Sequence, residues 1–293
     1  MTSVKEYAYA KINLYLDVLS RREDGFHDVK TVMHTVSLSD EITVSVKPSS
    51  KREITLILAG NSKLPADSKN LAYRAADLFL DATLINAEVT VKLNKRIPVA
   101  AGLAGGSADA AAVLRALNRI FKKPLTEKRL LALAAELGSD VPFCLIGGTA
   151  LCLGRGERIE RLPDKLGLSL VVAIADEHVS TPVAYATLDE IYGGFSSARE
   201  DDPSPCYDAL MTSVNSGNAN DIKLYNIFEN AVLPLCSGAE SIKRKMLELG
   251  ATHSLMSGSG PSVFGIFEND ESAAAAKDAL IDLGFRAFLT HSI

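Results

Sequence analysis

A glycine-rich loop that leads directly into an amphipathic helix constrains this chain of 293 residues more than any other feature. The loop follows Pro98 and contains Gly102, Gly105 and Gly106, and glycine lets backbone N–H groups approach a ligand closely. Apolar residues then recur at helical spacing, at Ala110, Val113, Leu114, Leu117 and Phe121. Such a loop binds anions, because unpaired N–H groups and the helix dipole both favour negative charge. The sequence therefore predicts a phosphate-binding loop; the alternative is a turn that only lets the helix pack closely.

The spacing of the loop excludes two common phosphate-binding motifs. No lysine follows the glycines, as the pattern G-x-x-x-x-G-K-S/T requires, and the segment from Gly102 to Ser107 does not match the dinucleotide pattern G-x-G-x-x-G. Ser107 and Asp109 lie where an N-cap or first-turn residue of the helix is expected. The loop is therefore of a third kind.

Composition limits the class of partner. The net charge of −5 argues against nucleic acid or an anionic membrane as a main partner, so we expect small-molecule ligands. Charged residues interrupt the first 19 residues, and no apolar run approaches the roughly 20 residues of a membrane span, so we expect a cytoplasmic protein. The four cysteines show no C-x-x-C spacing, which favours free thiols over a disulfide or zinc site.

The remaining chain alternates between strand and helix patterns, which predicts an α+β fold. Strands are predicted at 8–18, 29–38, 41–46, 53–58, 87–93, 168–175, 251–256, 262–267 and 285–290. Helices are predicted at 70–82, 126–137, 181–192, 207–214, 227–235, 239–249 and 271–283, and a mobile loop at 193–207. The domain boundary is expected between residues 162 and 168.

Two polar positions have a structural and a functional interpretation. Lys11 and Asn13 share the face of the first strand opposite its apolar residues, and a solvated polar face is the alternative to a binding role. Asp140 lies two residues before Pro142, and a plain helix N-cap is the alternative to a catalytic role.

Four blocks of the chain resemble the GHMP kinases, a superfamily that includes galactokinase, homoserine kinase and mevalonate kinase. The glycine loop resembles their phosphate loop, with Ala104 and Ala108 in place of a glycine and a serine. Three further blocks resemble the methylerythritol kinases within this superfamily: Ala10-Lys11-Ile12-Asn13-Leu14 with Arg21 to His27, Gly138 to Phe143, and Ser257 to Ser262. Four blocks in the same order are more specific than any one of them.

The resemblance implies a two-domain GHMP kinase architecture. An N-terminal domain at 1–163 would hold a mixed sheet with helices and the phosphate loop, and a C-terminal domain at 164–293 would form a ferredoxin-like α/β sandwich. The implied activity is transfer of the γ-phosphoryl group of ATP, with Mg²⁺, to the 2-hydroxyl of a cytidylyl methylerythritol in a cleft between the domains, in the methylerythritol phosphate route to isoprenoids. The alternatives are a GHMP kinase with another acceptor and a non-catalytic nucleotide-binding regulator. The oligomeric state stays open.

The resemblance also implies roles for individual residues. Lys11 and Asp140 would flank the acceptor hydroxyl, where a carboxylate accepts the proton or orients the hydroxyl and an ammonium favours the alkoxide. Asn13 would contact the substrate, His27 would hydrogen-bond to the cytosine edge, and Phe26 and Tyr185 would stack on the cytosine. The residues expected to contact ATP are Asn70, Leu71, Lys95, Pro98, Ala101, Gly102, Leu103, Ala104, Gly105, Gly106, Ser107 and Ala108. Asp109 is expected to cap the helix rather than reach Mg²⁺. The turn at 257–260 shapes the substrate pocket or only joins two strands.

Overall fold

The computed structural model contains two compact units that alternate along the chain. It describes residues 1–60, 64–177, 179–195, 202–219 and 221–293. The first unit comprises Met1–Ala10, Ser39–Val99 and Ala104–Gly147, and the second comprises Lys11–Leu38, Ala100–Leu103 and Gly148–Ile293. Two long strands, β1 (Thr2–Arg21) and β2 (His27–Pro48), contribute to both units. The domain boundary between 163 and 164 stays a prediction.

The first unit contains a mixed sheet and four helical segments. Strand β3 (Glu53–Leu58) pairs in parallel with β4 (Ala87–Asn94), which pairs antiparallel with the second half of β2 from Glu41 to Pro48. The helices are α1 (Leu71–Thr83), α2 (Gly105–Ile120), α3 (Glu127–Leu137) and α4 (Val141–Ile146). Ala110, Val113, Leu114 and Leu117 of the predicted stripe are buried, whereas Phe121 follows the helix and is partly buried. Burial of this face fixes the helix that begins at the glycine loop.

Side-chain caps start two of these helices where the sequence predicts. The Asn70 Oδ1 accepts the N–H of Ala72 at 2.9 Å and begins α1. The Thr126 hydroxyl accepts the N–H of Arg129 at 3.3 Å and begins α3. Each cap pairs one N–H group that the first turn of a helix leaves without a partner.

The second unit contains a hairpin and a four-stranded antiparallel sheet with helices. The hairpin of β5 (Thr149–Gly154) and β6 (Arg158–Arg161) extends the first half of β2. The elements that follow are β7 (Ser169–Ile174), α5 (Thr181–Ile191), α6 (Ser204–Ser216), β8 (Tyr225–Asn226), α7 (Glu229–Val232), α8 (Ser237–Glu248), β9 (His253–Met256), β10 (Ser262–Phe267), α9 (Asp270–Asp282) and β11 (Arg286–His291). The sheet order is β11-β7-β10-β9, and α8 and α9 pack on it. This order confirms the predicted ferredoxin-like sandwich.

A continuous apolar core joins the sheet and helices of the second unit. Val171 and Val263 from the sheet, Ile242 from α8 and Leu280 from α9 are fully buried in one cluster. Burial of such side chains contributes about 1.5–3 kcal/mol each, which makes this cluster the main source of stability of the sandwich.

Local structure differs from the sequence prediction at a few elements. β2 is one strand of 22 residues where two strands are predicted. The helix predicted at 227–235 divides into α7 and a 3₁₀ turn at Leu233–Leu235, because Pro234 lacks the N–H that an α-helix uses. The loop predicted at 193–207 includes the start of α6 at Ser204, and its positions 196–201 lie outside the described residues. Among the described residues, no helix has the length and apolar character needed to cross a bilayer.

Candidate active site

The glycine loop meets α2 without a side-chain cap. The N-cap residue is Ala104, with φ of 56°, and its methyl side chain cannot accept a hydrogen bond from the first helical N–H groups. Ser107 lies in the first turn, as expected, whereas Asp109 is the fifth helical residue, so the prediction that it caps the helix is wrong. Uncapped N–H groups at the start of a helix are what an anion-binding loop requires.

The Asp109 carboxylate instead belongs to a buried ionic cluster with Lys95 and Asp40, called here the Lys95 cluster. The Lys95 ammonium lies 2.5 Å from Asp40 Oδ2 and 2.8 Å from Asp109 Oδ2. Asp40 Oδ1 accepts the N–H groups of Arg96 at 2.5 Å and Ile97 at 2.8 Å. A Cβ placed on Gly105 would lie 3.2 Å from the Lys95 Nζ, so the cluster lies directly against the first residue of α2.

Burial changes the protonation of the Lys95 cluster. Burial raises the pKa of the Asp109 carboxyl to about 8, against the opposing effect of the Lys95 charge. Burial also lowers the pKa of Lys95, but the charges of Asp109 and Asp40 outweigh it and raise that pKa overall. Within the described part of the chain, the buried Asp109 Oδ1 has no hydrogen-bond partner. A protonated Asp109 leaves Asp40 and Lys95 as a neutral pair, which avoids burying a net charge.

The first unit gathers part of the predicted ATP site. Leu71 lies beside the start of α2, because a Cβ on Gly106 would be 3.6 Å from its Cδ1. The Asn70 side chain is occupied locally, since it caps α1 and its Nδ2 donates to the Pro65 carbonyl at 2.9 Å. Pro98, Ala104, Ser107 and Ala108 belong to the same unit, whereas Ala101, Gly102 and Leu103 belong to the second.

Lys11 and Asn13 are the centre of a buried hydrogen-bond network in the second unit. The Lys11 ammonium donates to Asn13 Oδ1 at 2.6 Å, and the same oxygen accepts the Gly258 N–H at 2.9 Å. Asn13 Nδ2 donates to the Thr31 hydroxyl at 2.8 Å, and that hydroxyl donates to the Tyr15 carbonyl at 2.7 Å. Lys11 is 4% exposed and Asn13 1%, so the alternative of a solvated polar face is wrong.

The glycine-rich turn from Ser257 to Pro261 joins β9 to β10 and also contacts the phosphate loop. The Ser257 hydroxyl donates to the Gly102 carbonyl at 3.1 Å, and the Ser262 hydroxyl donates to the carbonyl of Ala101. The Gly258 carbonyl accepts Asn226 Nδ2 at 2.8 Å. The turn is thus a hairpin connection fixed to its surroundings at several points, and its part in shaping the substrate pocket stays a prediction.

His27 lies against helix α5. Its Nε2 is 2.7 Å from Asp189 Oδ1, and its ring stacks on Tyr185 with centroids 4.6 Å apart and an interplanar angle of 21°. The Phe228 ring contacts Tyr185 edge-on at 4.8 Å. Phe26 is 55% exposed, and the Arg155 guanidinium lies 5.0 Å from its ring centroid. An exposed Phe26 ring and a stacked Tyr185–His27 pair are compatible with binding of a flat aromatic ligand.

Asp140 occupies the N-cap position of α4, with Pro142 in the first turn. Its carbonyl accepts the Cys144 N–H at 3.0 Å, but its side chain forms no capping hydrogen bond. Asp140 therefore does not form the side-chain hydrogen bond by which a plain N-cap residue stabilises its helix.

Several side chains of these networks have no counterpart among the sequence predictions. Asp40 anchors Lys95, Thr31 accepts from Asn13, Asp189 binds His27, and Asn226 donates to Gly258. For Asp189 the sequence does contain a signal: it follows Tyr185 by four residues in a predicted helix, and residues at this spacing share one helix face.

Comparison with known proteins agrees with this geometry. The chain matches the family described as GHMP kinases N terminal domain over residues 70–148 and GHMP kinases C terminal over residues 205–285. It is 39% identical over 268 residues to a 4-diphosphocytidyl-2-C-methyl-D-erythritol kinase of Clostridium acetobutylicum, covering 91% of each chain. A crystal structure of 4-(cytidine 5'-diphospho)-2C-methyl-D-erythritol kinase is similar with a TM-score of 0.80 and 35% identity, covering 99% of this chain and 100% of that chain. A homoserine kinase of Cytophaga hutchinsonii, with a TM-score of 0.75 and 22% identity over 100% of this chain and 95% of that chain, shares the fold.

Proposed function

Because the chain belongs to the 4-diphosphocytidyl-2-C-methyl-D-erythritol kinases of the GHMP superfamily, we propose that it transfers the γ-phosphoryl group of ATP to the 2-hydroxyl of that cytidylyl substrate. The products are the 2-phosphate and ADP, and the reaction is a step in the methylerythritol phosphate route to isoprenoids. The observation that carries this proposal is the Asn13 network, in which Lys11 and Gly258 bind one amide oxygen. That oxygen joins the first and last sequence blocks of the resemblance.

Lys11 stabilises the developing negative charge on the acceptor oxygen. Asn13 accepts one ammonium hydrogen, and the Thr31 hydroxyl and Gly258 N–H fix the Asn13 amide from both sides. An ammonium held in place needs little reorganisation when the hydroxyl loses its proton, and this preorganisation is where electrostatic catalysis gains most. Asn13 therefore orients Lys11 in addition to contacting the substrate.

Asp140 receives or orients the proton of the acceptor hydroxyl. Its carboxylate is not used in a helix cap, and phosphoryl transfer needs little from the protein beyond positioning and charge stabilisation. We expect Asp140→Asn to lower kcat by about 10²–10⁴-fold while ATP binding is kept. An unchanged kcat in this variant would remove Asp140 from the reaction.

The phosphates of ATP bind at the uncapped start of α2. The N–H groups after Ala104 point along a helix that extends to Ile120, and its dipole favours negative charge. Leu71 beside Gly106 contributes apolar contact near this end. Cytosine stacks between Tyr185 and the exposed Phe26, and its edge hydrogen-bonds to His27.

The side chains that the structure describes do not by themselves form a site for Mg²⁺. Within the described residues, no three His, Cys, Asp or Glu side chains are placed to hold a metal ion. The carboxylates of Asp40 and Asp109 share the Lys95 ammonium, which occupies the place of a cation between them. Mg²⁺ in kinases binds chiefly through substrate phosphates and water with one or two carboxylates, so we infer that it arrives with ATP.

The test is ADP release with Mg·ATP and each of three acceptors: 4-diphosphocytidyl-2-C-methyl-D-erythritol, mevalonate and homoserine. We expect turnover with the cytidylyl acceptor alone. Turnover with another acceptor would keep the kinase assignment and remove the cytosine site. Absence of turnover with all three, in protein that still binds ATP, would favour a nucleotide-binding regulator.

A further inference from the structure

Helix α5 contacts the His27 imidazole at two points. Tyr185 and Asp189 are four residues apart and therefore lie on the same face of this helix. The Tyr185 ring covers one face of the imidazole, and Asp189 Oδ1 lies 2.7 Å from its Nε2. The Phe195 ring approaches at 6.0 Å with an interplanar angle of 76°. The imidazole is thus held in one orientation, although only Tyr185 among these contacts has a role in the proposed function.

The Asp189 contact determines which ring nitrogen of His27 carries the hydrogen. An ionised carboxylate only accepts hydrogen bonds, so Nε2 must donate, and in a neutral imidazole the other nitrogen then carries a lone pair. Arg21 Nη1 lies 3.5 Å from the second oxygen of Asp189, so this carboxylate contacts a guanidinium as well as the imidazole. Across the described ranges, His27 Nδ1 makes no hydrogen bond. Nδ1 is therefore an acceptor that none of these described residues uses.

We propose that Asp189 is a positioning residue that sets the His27 tautomer and thereby selects cytosine over uracil. This inference rests on the proposed cytosine site. The two bases differ at C4, where cytosine carries an amino group that donates and uracil carries a carbonyl that only accepts, and at N3, which accepts in cytosine and donates in uracil. The proposal places Nδ1 opposite the C4 substituent, where an acceptor pairs with the amino group and opposes the carbonyl. The hydrogen bond formed with cytosine, compared with the unpaired acceptor left with uracil, corresponds to a difference of about 10- to 100-fold in affinity.

The test measures binding of CDP and UDP to the full chain by calorimetry, with ATP as an internal control. Wild type should bind CDP at least about tenfold more tightly than UDP. Asp189→Ala should lose this preference while its ATP affinity is unchanged. Asp189→Asn should keep part of it, because the amide oxygen still accepts the Nε2 hydrogen. Glu190→Ala removes the adjacent, exposed carboxylate of the same helix and should behave as wild type.

Nitrogen NMR of the His27 ring measures which ring nitrogen carries the hydrogen. If Asp189 had a purely structural role, its replacement would not change this tautomer. Wild type should show hydrogen on Nε2, and Asp189→Ala should show a mixture of both tautomers. A variant that keeps both the CDP preference and the wild-type tautomer would overturn the inference while leaving the cytosine site intact. A wild type that binds CDP and UDP equally would overturn the cytosine site and the inference with it. If Asp189→Ala does not fold, the Asp189→Asn titration and spectrum decide.

Discussion

The protein buries two lysines in different ways. Lys95 in the first unit lies between the carboxylates of Asp40 and Asp109, whereas Lys11 in the second unit donates to the neutral amide of Asn13, which also accepts from the backbone of Gly258. Lys95 therefore neutralises charge within the protein. The Lys11 ammonium is held by an amide of the sequence block that resembles the methylerythritol kinases. The difference teaches that burial and proximity to a glycine loop do not distinguish a lysine that pairs with carboxylates from one proposed to act on substrate, and that the hydrogen-bond partners of each lysine are more informative.

The ATP contact predicted for Lys95 competes with its two ion pairs. An ammonium that lies 2.5 and 2.8 Å from two carboxylates would have to break two charge-assisted hydrogen bonds in order to contact a nucleotide. We infer that Lys95 acts on ATP indirectly, by holding the first residues of α2 where the loop can bind phosphates. Replacement of each lysine by methionine distinguishes this role of Lys95 from the role of Lys11.

The largest effect is expected for Lys95→Met. Removal of the Lys95 ammonium leaves the buried Asp40 carboxylate without its counter-ion, which costs about 3–5 kcal/mol. The free energy of unfolding, measured with urea, should fall by this amount. Lys92→Met, at an exposed position of β4 three residues before Lys95, is the control and should change it by less than about 0.5 kcal/mol. Unchanged stability with a large loss of ATP affinity would show instead that Lys95 contacts the nucleotide.

Lys11→Met should affect the reaction rather than ATP binding. Loss of a preorganised donor at the developing oxyanion lowers kcat by about 10²–10³-fold, and the KM for ATP should stay near the wild-type value. Asn13 Oδ1 keeps the Gly258 N–H as a partner, so the network is not dismantled. Steady-state kinetics with the cytidylyl substrate give both constants. A raised KM for ATP with normal kcat would contradict the contrast between the two lysines.

The pH dependence of stability provides a third test. The pKa of Asp109 is about 8 in the folded protein and near 4 in an unfolded chain, so between these values the native state holds a proton that the unfolded state has lost. This group therefore makes stability fall as pH rises through the window, by at most about 1.4 kcal/mol per pH unit. Asp109→Asn should remove this slope in urea unfolding at pH 5 to 8. A slope identical in wild type and variant would assign the titration to other groups.

The smallest effect is expected at the N-cap of α2. Ala104 has φ of 56°, a conformation that glycine adopts without steric cost, so Ala104→Gly should stabilise the protein by about 0.5–1 kcal/mol. Ala132→Gly, at an exposed position inside α3, is the control of opposite sign and should destabilise by about 1 kcal/mol. A destabilising Ala104→Gly would mean that backbone entropy outweighs the strain.

The sequence predicts more of the fold than of the site. Alternating patterns and capping residues locate most elements, and Thr126 begins α3 at the predicted residue. The contacts that define the site join distant positions instead: Lys95 and Asp40 are 55 residues apart, and His27 and Asp189 are 162 apart. No local pattern encodes such pairs, because they depend on how the strands and helices are arranged. The resemblance predicted roles for Lys11, Asn13 and His27, but it did not predict their contacts with Thr31 and Asp189.

A comparison of loop positions 100, 102 and 104 shows why we expect Gly102 to tolerate no other residue. Ala100, Gly102 and Ala104 all have positive φ, at 54°, 74° and 56°, so this part of the chain tolerates a methyl group at such angles. Gly102 differs because a Cβ there would lie 2.1 Å from the Ser257 carbonyl oxygen. In a saturation library selected for activity, position 102 should return glycine alone, while positions 100 and 104 accept several residues. Selection of glycine alone at position 102 would reflect a lack of space for a side chain rather than the backbone angle. A larger residue at position 102 would then require a second substitution that moves the Ser257 carbonyl.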